Sequence, residues 1–319
     1  MKRVVVTDHM FPDLHHERAM AQECGAEFSE EKGLTDAQVS RTLDGADVAL
    51  IGTLQVDEEA LRRLNPGAVV IRYGIGFDCV DIDAAMALDI RVCNIPDYGA
   101  DTVADHTAML ALASLRHLDE YNRALKSGDD GWCAPADVGV IPALTDVTVG
   151  LVGVGQIGLL VAQRLRAFGA RIIAADPYAD AEALAGSGVE LTSLPDLFER
   201  ADIVSLHAPL NDETRHLIDA AAIAAMKDTA ILVNTGRGAL VDTAAAAQAV
   251  TDGRLGGLAF DVFESEPLEP GHPLRRSPRT LLTPHSAFYS TRAMDNLQRF
   301  AAEEMGRALR GEPLRCPLN

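Results

Sequence analysis

Short apolar runs separated by mixed polar stretches set the rhythm of the N-terminal third. Val4-Val5-Val6, Val48-Ala49-Leu50-Ile51 and Val69-Val70-Ile71 are each long enough for a strand buried on both faces. Between them, residues 14–23 and 57–64 mix polar and apolar positions and read as helices. Asp57 stands at an N-cap and Asn65-Pro66-Gly67 ends the second helix. This alternation predicts a parallel sheet with helices on both faces. Residues 101–118 read as one long helix, with Ala104, Ala108, Ala111, Leu112 and Leu115 at three- and four-residue spacing. It is apolar on most sides, so it is expected to be buried or to form a subunit interface. Residues 126–144 are rich in Gly, Pro and Asp and read as a loop. A second β-α series follows, with strands over 147–152, 171–175, 203–206, 230–233 and 257–260, and residues 291–309 close the chain as a helix.

Composition narrows the class. At about 150 residues per domain, 319 residues suggest two domains. The formal charge of −19 repels phosphate backbones and anionic headgroups, which argues against nucleic-acid and membrane-surface binding. A hydrophobic share of 48% suits a globular chain. No apolar run approaches the roughly 18 residues of a membrane span. The first apolar stretch stops at Thr7-Asp8, so it reads as a strand rather than a signal peptide. Cys24, Cys79, Cys93, Cys133 and Cys316 are scattered and form no Cys-x-x-Cys pair. Reduced thiols in a cytoplasm fit them best, with Cys79 and Cys93 as small buried apolar groups.

The strand over 147–152 runs into Gly153-Val154-Gly155-Gln156-Ile157-Gly158, and a helix follows. In a G-x-G-x-x-G turn the first glycine permits the tight bend. The second leaves room for a pyrophosphate, and the third lets helix and strand pack closely. The helix N-terminus then faces the phosphates. The next strand ends in Asp176, 18 residues after Gly158. That is the position of a carboxylate that accepts from the adenosine ribose 2′-hydroxyl and repels a 2′-phosphate, so NAD is favoured over NADP.

Hydride transfer to a carbonyl also needs a proton donor. Among nine histidines, His285 stands out, because it follows Leu281-Leu282-Thr283-Pro284 at a strand tip. Candidate carboxylate partners lie in Asp261-Val262-Phe263-Glu264-Ser265-Glu266-Pro267, and Arg237 follows another strand in Asn234-Thr235-Gly236-Arg237-Gly238. Arginine suits bidentate binding of a substrate carboxylate. His106 reads as structural, and His117, His216 and His272 as exposed. The spacing in His15-His16-Glu17 fits no usual metal-ligand set, and no metal is expected.

These motifs, in this order and together with Ser205-Leu206-His207-Ala208-Pro209-Leu210, resemble the D-isomer-specific 2-hydroxyacid dehydrogenases over nearly the whole chain. A narrower resemblance is to the branch containing the C-terminal-binding-protein corepressors and their bacterial relatives. It rests on Arg72-Tyr73-Gly74-Ile75-Gly76-Phe77-Asp78, Asn94-Ile95-Pro96-Asp97-Tyr98, Val103-Ala104-Asp105-His106 and His285-Ser286-Ala287-Phe288-Tyr289-Ser290.

The resemblance implies that Arg237 binds and polarises a 2-oxo acid, that His285 exchanges the proton and that Glu266 orients His285. It implies a cofactor site of Gly153, Gly155, Gln156, Ile157, Gly158, Asp176, Pro177, His207, Pro209, Thr214, Thr235, Gly236, Asp261 and Ser286, with Asp261 beside the nicotinamide. Arg72, the Ile75 and Gly76 backbone, Tyr98 and Phe288 would contact the substrate, with Phe288 where the corepressors carry Trp. The implied architecture is α/β, with two doubly wound parallel sheets. A flavodoxin-like substrate domain spans 1–100 plus 287–319, a Rossmann NAD domain spans 101–286, and a cleft between them closes around NAD. A homodimer through the helix over 101–118 is also implied.

Within this fold class, no tyrosine has Lys four residues later, which excludes short-chain dehydrogenase chemistry. Glu266 rather than Gln beside the histidine favours a proton-coupled alcohol–ketone reaction over formate oxidation. Phosphoglycerate dehydrogenase stays open, although no C-terminal regulatory domain and no extra Lys or Arg cluster are expected. The alternative of a different kind is an NAD(H)-sensing, corepressor-like binding protein.

Overall fold

The computed structural model describes residues 1–31, 34–127, 132–182 and 184–319; residues 128–131 of the stretch read as a loop lie outside the described residues. The chain divides into two units, Met1–Gly99 with Tyr289–Asn319, and Ala100–Phe288. The crossings therefore fall at 99/100 and 288/289, where the sequence reading puts them at 100/101 and 286/287. Ala287 goes with the second unit because its N–H donates to the buried Asp261 carboxylate at 2.9 Å.

The first unit contains β1 (Arg3–Val6), α1 (His15–Glu23), β2 (Glu27–Glu30), α2 (Asp36–Thr42), β3 (Val48–Ile51), α3 (Glu58–Leu61), β4 (Val69–Arg72), α4 (Ile82–Ala87) and β5 (Arg91–Cys93). Its strands are parallel in the order β2-β1-β3-β4-β5, a flavodoxin-like arrangement with its switch between β1 and β3. Asp57 caps α3 as read, accepting from the Ala60 N–H at 2.9 Å. The polar β2 and the three-residue β5 escape the sequence reading, because edge strands need no apolar run. In α1, His15 faces solvent beside Asp13, whereas Glu17 is fully buried and accepts from the Tyr73 hydroxyl at 2.7 Å and Gln298 Nε2 at 2.9 Å. Burial pushes the Glu17 carboxyl up, against the pull of these hydrogen bonds.

The second unit contains α5 (Ala100–Leu115), α6 (Leu118–Lys126), β6 (Thr148–Val152), α7 (Gln156–Ala167), β7 (Arg171–Ala175), β8 (Val189–Leu191), α8 (Leu194–Arg200), β9 (Ile203–Leu206), α9 (Ala220–Ala225), β10 (Ile231–Asn234), α10 (Thr243–Thr251), β11 (Gly257–Phe260) and β12 (Thr280–Leu282). The chain then returns to the first unit as α11 (Thr291–Arg310). The seven strands run parallel in the order β12-β11-β10-β9-β6-β7-β8, the Rossmann order extended by one strand, with the switch between β6 and β9.

The single helix read over 101–118 is two. His117 adopts a left-handed conformation (φ 53°) between α5 and α6, and it is half-buried and paired with Glu120 at 3.0 Å rather than exposed. The apolar character of α5 is used within its own unit. Val103, Ala104, Thr107, Ala108, Leu110, Ala111 and Leu115 are buried, while Asp101, Asp105 and Met109 face outward. One core, including Leu151, Val161 and Leu165, lies on the face covered by α5 and α7. Another, including Phe198, Ile223 and Phe260, lies under α8–α10. Among the described residues no helix is long and apolar enough to cross a membrane.

At the switch, the backbone of His207 follows β9 so closely that a side chain on Gly153 would collide with it. The His207 ring is bonded to Ser205 Oγ at 2.9 Å, and burial lowers its pKa from 6.5 to about 4. The sign follows directly. Between those values the unfolded chain binds a proton that the folded chain refuses, so stability falls as pH drops through this window and levels off below about 4. Urea unfolding of the protein across this range is expected to show that loss, and His207→Asn to flatten it; an unchanged slope in the variant would assign the effect to other groups.

Candidate active site

Three strand ends of the second unit converge. β10 ends in Asn234, which is fully buried. Its Oδ1 accepts from the Gly236 N–H at 3.0 Å and its Nδ2 donates to the Arg237 carbonyl at 2.9 Å, fixing the turn that presents Arg237. Gly238 admits the backbone of Phe263 and Glu264 where any Cβ would overlap it, so the β10 and β11 loops touch main chain to main chain.

β11 ends in Asp261, whose side chain is fully buried. Its Oδ1 accepts from Thr283 Oγ1 at 2.5 Å and the Ser286 N–H at 2.9 Å, and its Oδ2 from the Ala287 N–H at 2.9 Å. Its main-chain carbonyl accepts from the His285 N–H at 2.7 Å. Asp261 thus organises residues 283–287, and His285 takes a left-handed conformation (φ 50°) within them. The Ser286 N–H belongs to the same cluster.

His285 Nδ1 lies 2.6 Å from Glu266 Oε2, and Glu266 Oε1 accepts from the Phe263 N–H at 2.9 Å. Burial alone would raise the Glu266 carboxyl; the His285 and Phe263 hydrogen bonds and the charges of His285 and Arg237 outweigh it and hold the carboxyl low. A carboxylate only accepts, so Nδ1 carries the proton and Nε2 is left for exchange with a bound molecule. Both side chains are over a third exposed, so the pair is reachable from solvent. The Phe288 ring stands edge-on to the imidazole, with centroids 6.2 Å apart.

The nucleotide cradle forms at the β6–α7 turn. Gly153 is at φ +93°, and a Cβ on Gly158 would press on the Gly153 carbonyl. The space over Gly155, the N-cap of α7, is open, and the first turn of α7 carries no acidic residue. These features fit a pyrophosphate against Gly155, Gln156, Ile157 and Gly158. Asp176 accepts from the Val154 N–H and the Tyr178 N–H, both at 2.9 Å, which fixes its carboxylate at the β7 end beside Pro177. Thr235 Oγ1 is 2.8 Å from Thr107 Oγ1. Pro209 and Thr214 lie in the loop after β9, where the Thr214 hydroxyl donates to the Pro209 carbonyl at 2.7 Å and accepts from the Asn211 N–H at 2.8 Å.

In the first unit Arg72 folds back onto its own turn, and its Nη1 donates to the Tyr73 carbonyl at 2.6 Å. It passes over Gly74 (φ +133°), where a Cβ would occupy its space. The Ile75 carbonyl accepts from Asn94 Nδ2 at 2.6 Å, which braces the Ile75-Gly76 backbone. Tyr98 is buried in this unit at 7% exposure. The structure thus gathers Arg72, Ile75, Gly76 and Tyr98 in the first unit and the remaining site residues in the second.

Sequence reasoning missed Asn234 and Thr283 as organisers, and it read His106 as structural. His106 Nε2 lies 3.0 Å from Thr283 Oγ1, inside the Asp261 cluster. The signal for Asn234 was a polar residue ending an otherwise apolar strand. Among the described residues no three His, Cys, Asp or Glu side chains are placed to hold a metal.

Comparison with known proteins identifies the family. Residues 108–287 match the family model described as D-isomer specific 2-hydroxyacid dehydrogenase, NAD binding domain. A D-3-phosphoglycerate dehydrogenase of Methanocaldococcus jannaschii is 35% identical over 98% of this chain and 58% of its own length. A glyoxylate reductase of Aeropyrum pernix is 38% identical over 79% of this chain and 76% of its own. The chain spans little more than half of the first of these relatives. A solved D-isomer-specific 2-hydroxyacid dehydrogenase from Lactobacillus delbrueckii ssp. bulgaricus, in its NAD-complexed form, superposes with a TM-score of 0.80 at 26% identity over 100% of both chains. The Rossmann sheet, the glycine cradle and these matches place the chain in the D-isomer-specific 2-hydroxyacid dehydrogenase family.

Proposed function

We propose that this protein is an NAD-dependent D-2-hydroxyacid dehydrogenase that interconverts a small 2-oxo acid and its D-2-hydroxy acid. The observation that carries this reading is the 2.6 Å His285–Glu266 pair, set beside the Arg237 turn at the ends of neighbouring parallel strands. Gly153, Gly155, Gln156, Ile157, Gly158, Asp176, Pro177, His207, Pro209, Thr214, Thr235, Gly236, Asp261 and Ser286 form the cofactor site in this reading. Bound there, NAD(H) supplies or accepts the hydride.

Arg237 binds the substrate carboxylate and draws electron density from the 2-oxo group. His285 delivers the Nε2 proton to the carbonyl oxygen during reduction and removes it from the hydroxyl during oxidation. Glu266 accepts from Nδ1 and fixes the orientation of the ring. Arg72 and the Ile75 and Gly76 N–H groups supply further contacts for the carboxylate, and Tyr98 and Phe288 border the substrate side chain. Glycolate- and lactate-sized acids are candidates, as is the phosphorylated acid of the relative from Methanocaldococcus jannaschii.

We also propose a homodimer. Leu118 and Leu125 of α6, with Trp132 and Val140 beyond it, are large apolar side chains more than half exposed, which a second copy would cover. The protein works in the cytoplasm in this reading, where its five cysteines stay reduced.

Turnover of NADH with a panel of 2-oxo acids tests the enzymatic reading. At least one acid is expected to be reduced, and His285→Ala should lower kcat by ~10²–10⁴-fold with NADH affinity retained. Tight NADH binding without turnover of any acid would instead favour a sensor. Asp176→Ala removes a charged hydrogen bond, in general about 1.5–3 kcal/mol, so it should weaken NADH by ~10- to 100-fold and narrow its lead over NADPH; an unaltered preference would show that another group reads the ribose. Sedimentation velocity should give twice the 34.0 kDa chain mass, and a concentration-independent monomer would remove the dimer.

A further inference from the structure

Helix α5 runs antiparallel to the strands it covers. Its residues His106 and Thr107 meet groups just beyond the ends of β12 and β10, whereas Ser114 lies near Gly257 and Thr280, where β11 and β12 begin. Two consecutive side chains of one helix therefore reach two of the three loops that carry the candidate catalytic groups.

Counting protons fixes the direction of each contact. The Thr283 hydroxyl has one proton, and at 2.5 Å from Asp261 Oδ1 it donates to that carboxylate. Its 3.0 Å contact with His106 Nε2 must then use an oxygen lone pair, so His106 Nε2 bears a hydrogen. That nitrogen also lies 3.6 Å from Asp261 Oδ1, beyond hydrogen-bond reach, so its hydrogen goes to Thr283. On the neighbouring residue, the Thr107 hydroxyl donates to the Val103 carbonyl at 2.7 Å, so Thr235 Oγ1 donates to Thr107 across their 2.8 Å contact. The Thr235 hydroxyl is thereby turned toward the helix and presents only lone pairs elsewhere.

We propose that His106 is a positioning residue for His285, acting as an Nε2–H donor that commits the Thr283 hydroxyl to Asp261 and so holds the turn on which the imidazole is mounted. The chain of contacts is His106 to Thr283, Thr283 to Asp261, and Asp261 to the N–H groups of Ser286 and Ala287, which follow His285. The hydrogen bond of His106 goes to Thr283 rather than to Glu266 or His285, and its exposure of 18% keeps it mostly out of solvent. Without the donor, the Thr283 oxygen keeps only its bond to Asp261, so the side chain at the first position of the turn is held by one partner instead of two. The imidazole then samples orientations away from the Glu266 carboxylate, which lowers the rate of proton transfer without removing the nucleotide cradle.

This inference rests on the dehydrogenase reading, and the test separates the two. Turnover by the unaltered protein and its loss in His285→Ala establish that reading first. His106→Leu is then expected to lower kcat about tenfold, with NADH affinity and the KM for the 2-oxo acid within twofold of the unaltered protein. His106→Gln, which places an amide N–H near the same position, should recover most of that loss. In a Thr283→Val background His106→Leu should change kcat less than twofold, because the link it acts through is already gone. Unchanged kcat in His106→Leu, parallel loss of NADH affinity without rescue by Gln, or full additivity with Thr283→Val would each overturn the proposal. Long-range ¹H–¹⁵N spectra of the histidine-labelled protein give a readout independent of turnover: Nε2 of His106 should be protonated, and a bare Nε2 would also overturn it.

Discussion

The burial of one carboxylate governs the candidate site. Asp261 sits at the end of a central strand with no solvent exposure. A carboxylate in such a place is costly unless its lone pairs are met, by several kcal/mol in general. The chain meets them by turning residues 283–287 back over β11, so that the Thr283 and Ser286 hydroxyls and two backbone N–H groups point at the same side chain. The turn forces His285 into a left-handed conformation and aims its ring at Glu266. The His285–Glu266 pairing is thus a consequence of satisfying a buried carboxylate one strand away.

The same logic extends to the neighbouring loops. Asn234 is buried and saturates the turn before Arg237, and Gly238 lets the two loops meet without side chains between them. At the switch between β6 and β9, Gly153 and Gly158 remove the atoms that would keep strand, turn and helix apart. The result is an open space over Gly155 at a helix N-terminus that no acidic side chain occupies. Polar satisfaction and close backbone approach, rather than apolar packing, shape this end of the sheet. The apolar packing supplies the rigid strands below it.

The sequence by itself determined the parts of the protein that obey local rules. Buried parallel strands must be apolar on both faces, so β1, β3, β4, β6, β7, β9, β10 and β11 were visible as runs rich in Val, Ile, Leu and Ala. The glycine fingerprint and Asp57 were legible because turns and caps require particular residue types over a few positions. Arg237 and His285 could be named because each follows a strand, and strand ends are where a parallel sheet gathers its polar groups; Glu266 was singled out within 261–267 only by the resemblance to the family.

The tertiary structure alone decided what depends on contacts distant in sequence. The strands β2, β5 and β8 are short or polar and exist because a neighbour supplies their hydrogen bonds. The break at His117 is a local backbone reversal that no apolar spacing announces. His106 lies 177 positions from Thr283, and nothing in its local pattern distinguishes it from a packed helical histidine. A hydrogen bond is directional and short-ranged, so its partner is fixed only once the folded backbone brings donor and acceptor within about 3 Å. Periodicity records which face of an element is buried; it carries no information about which polar atom waits on the other side.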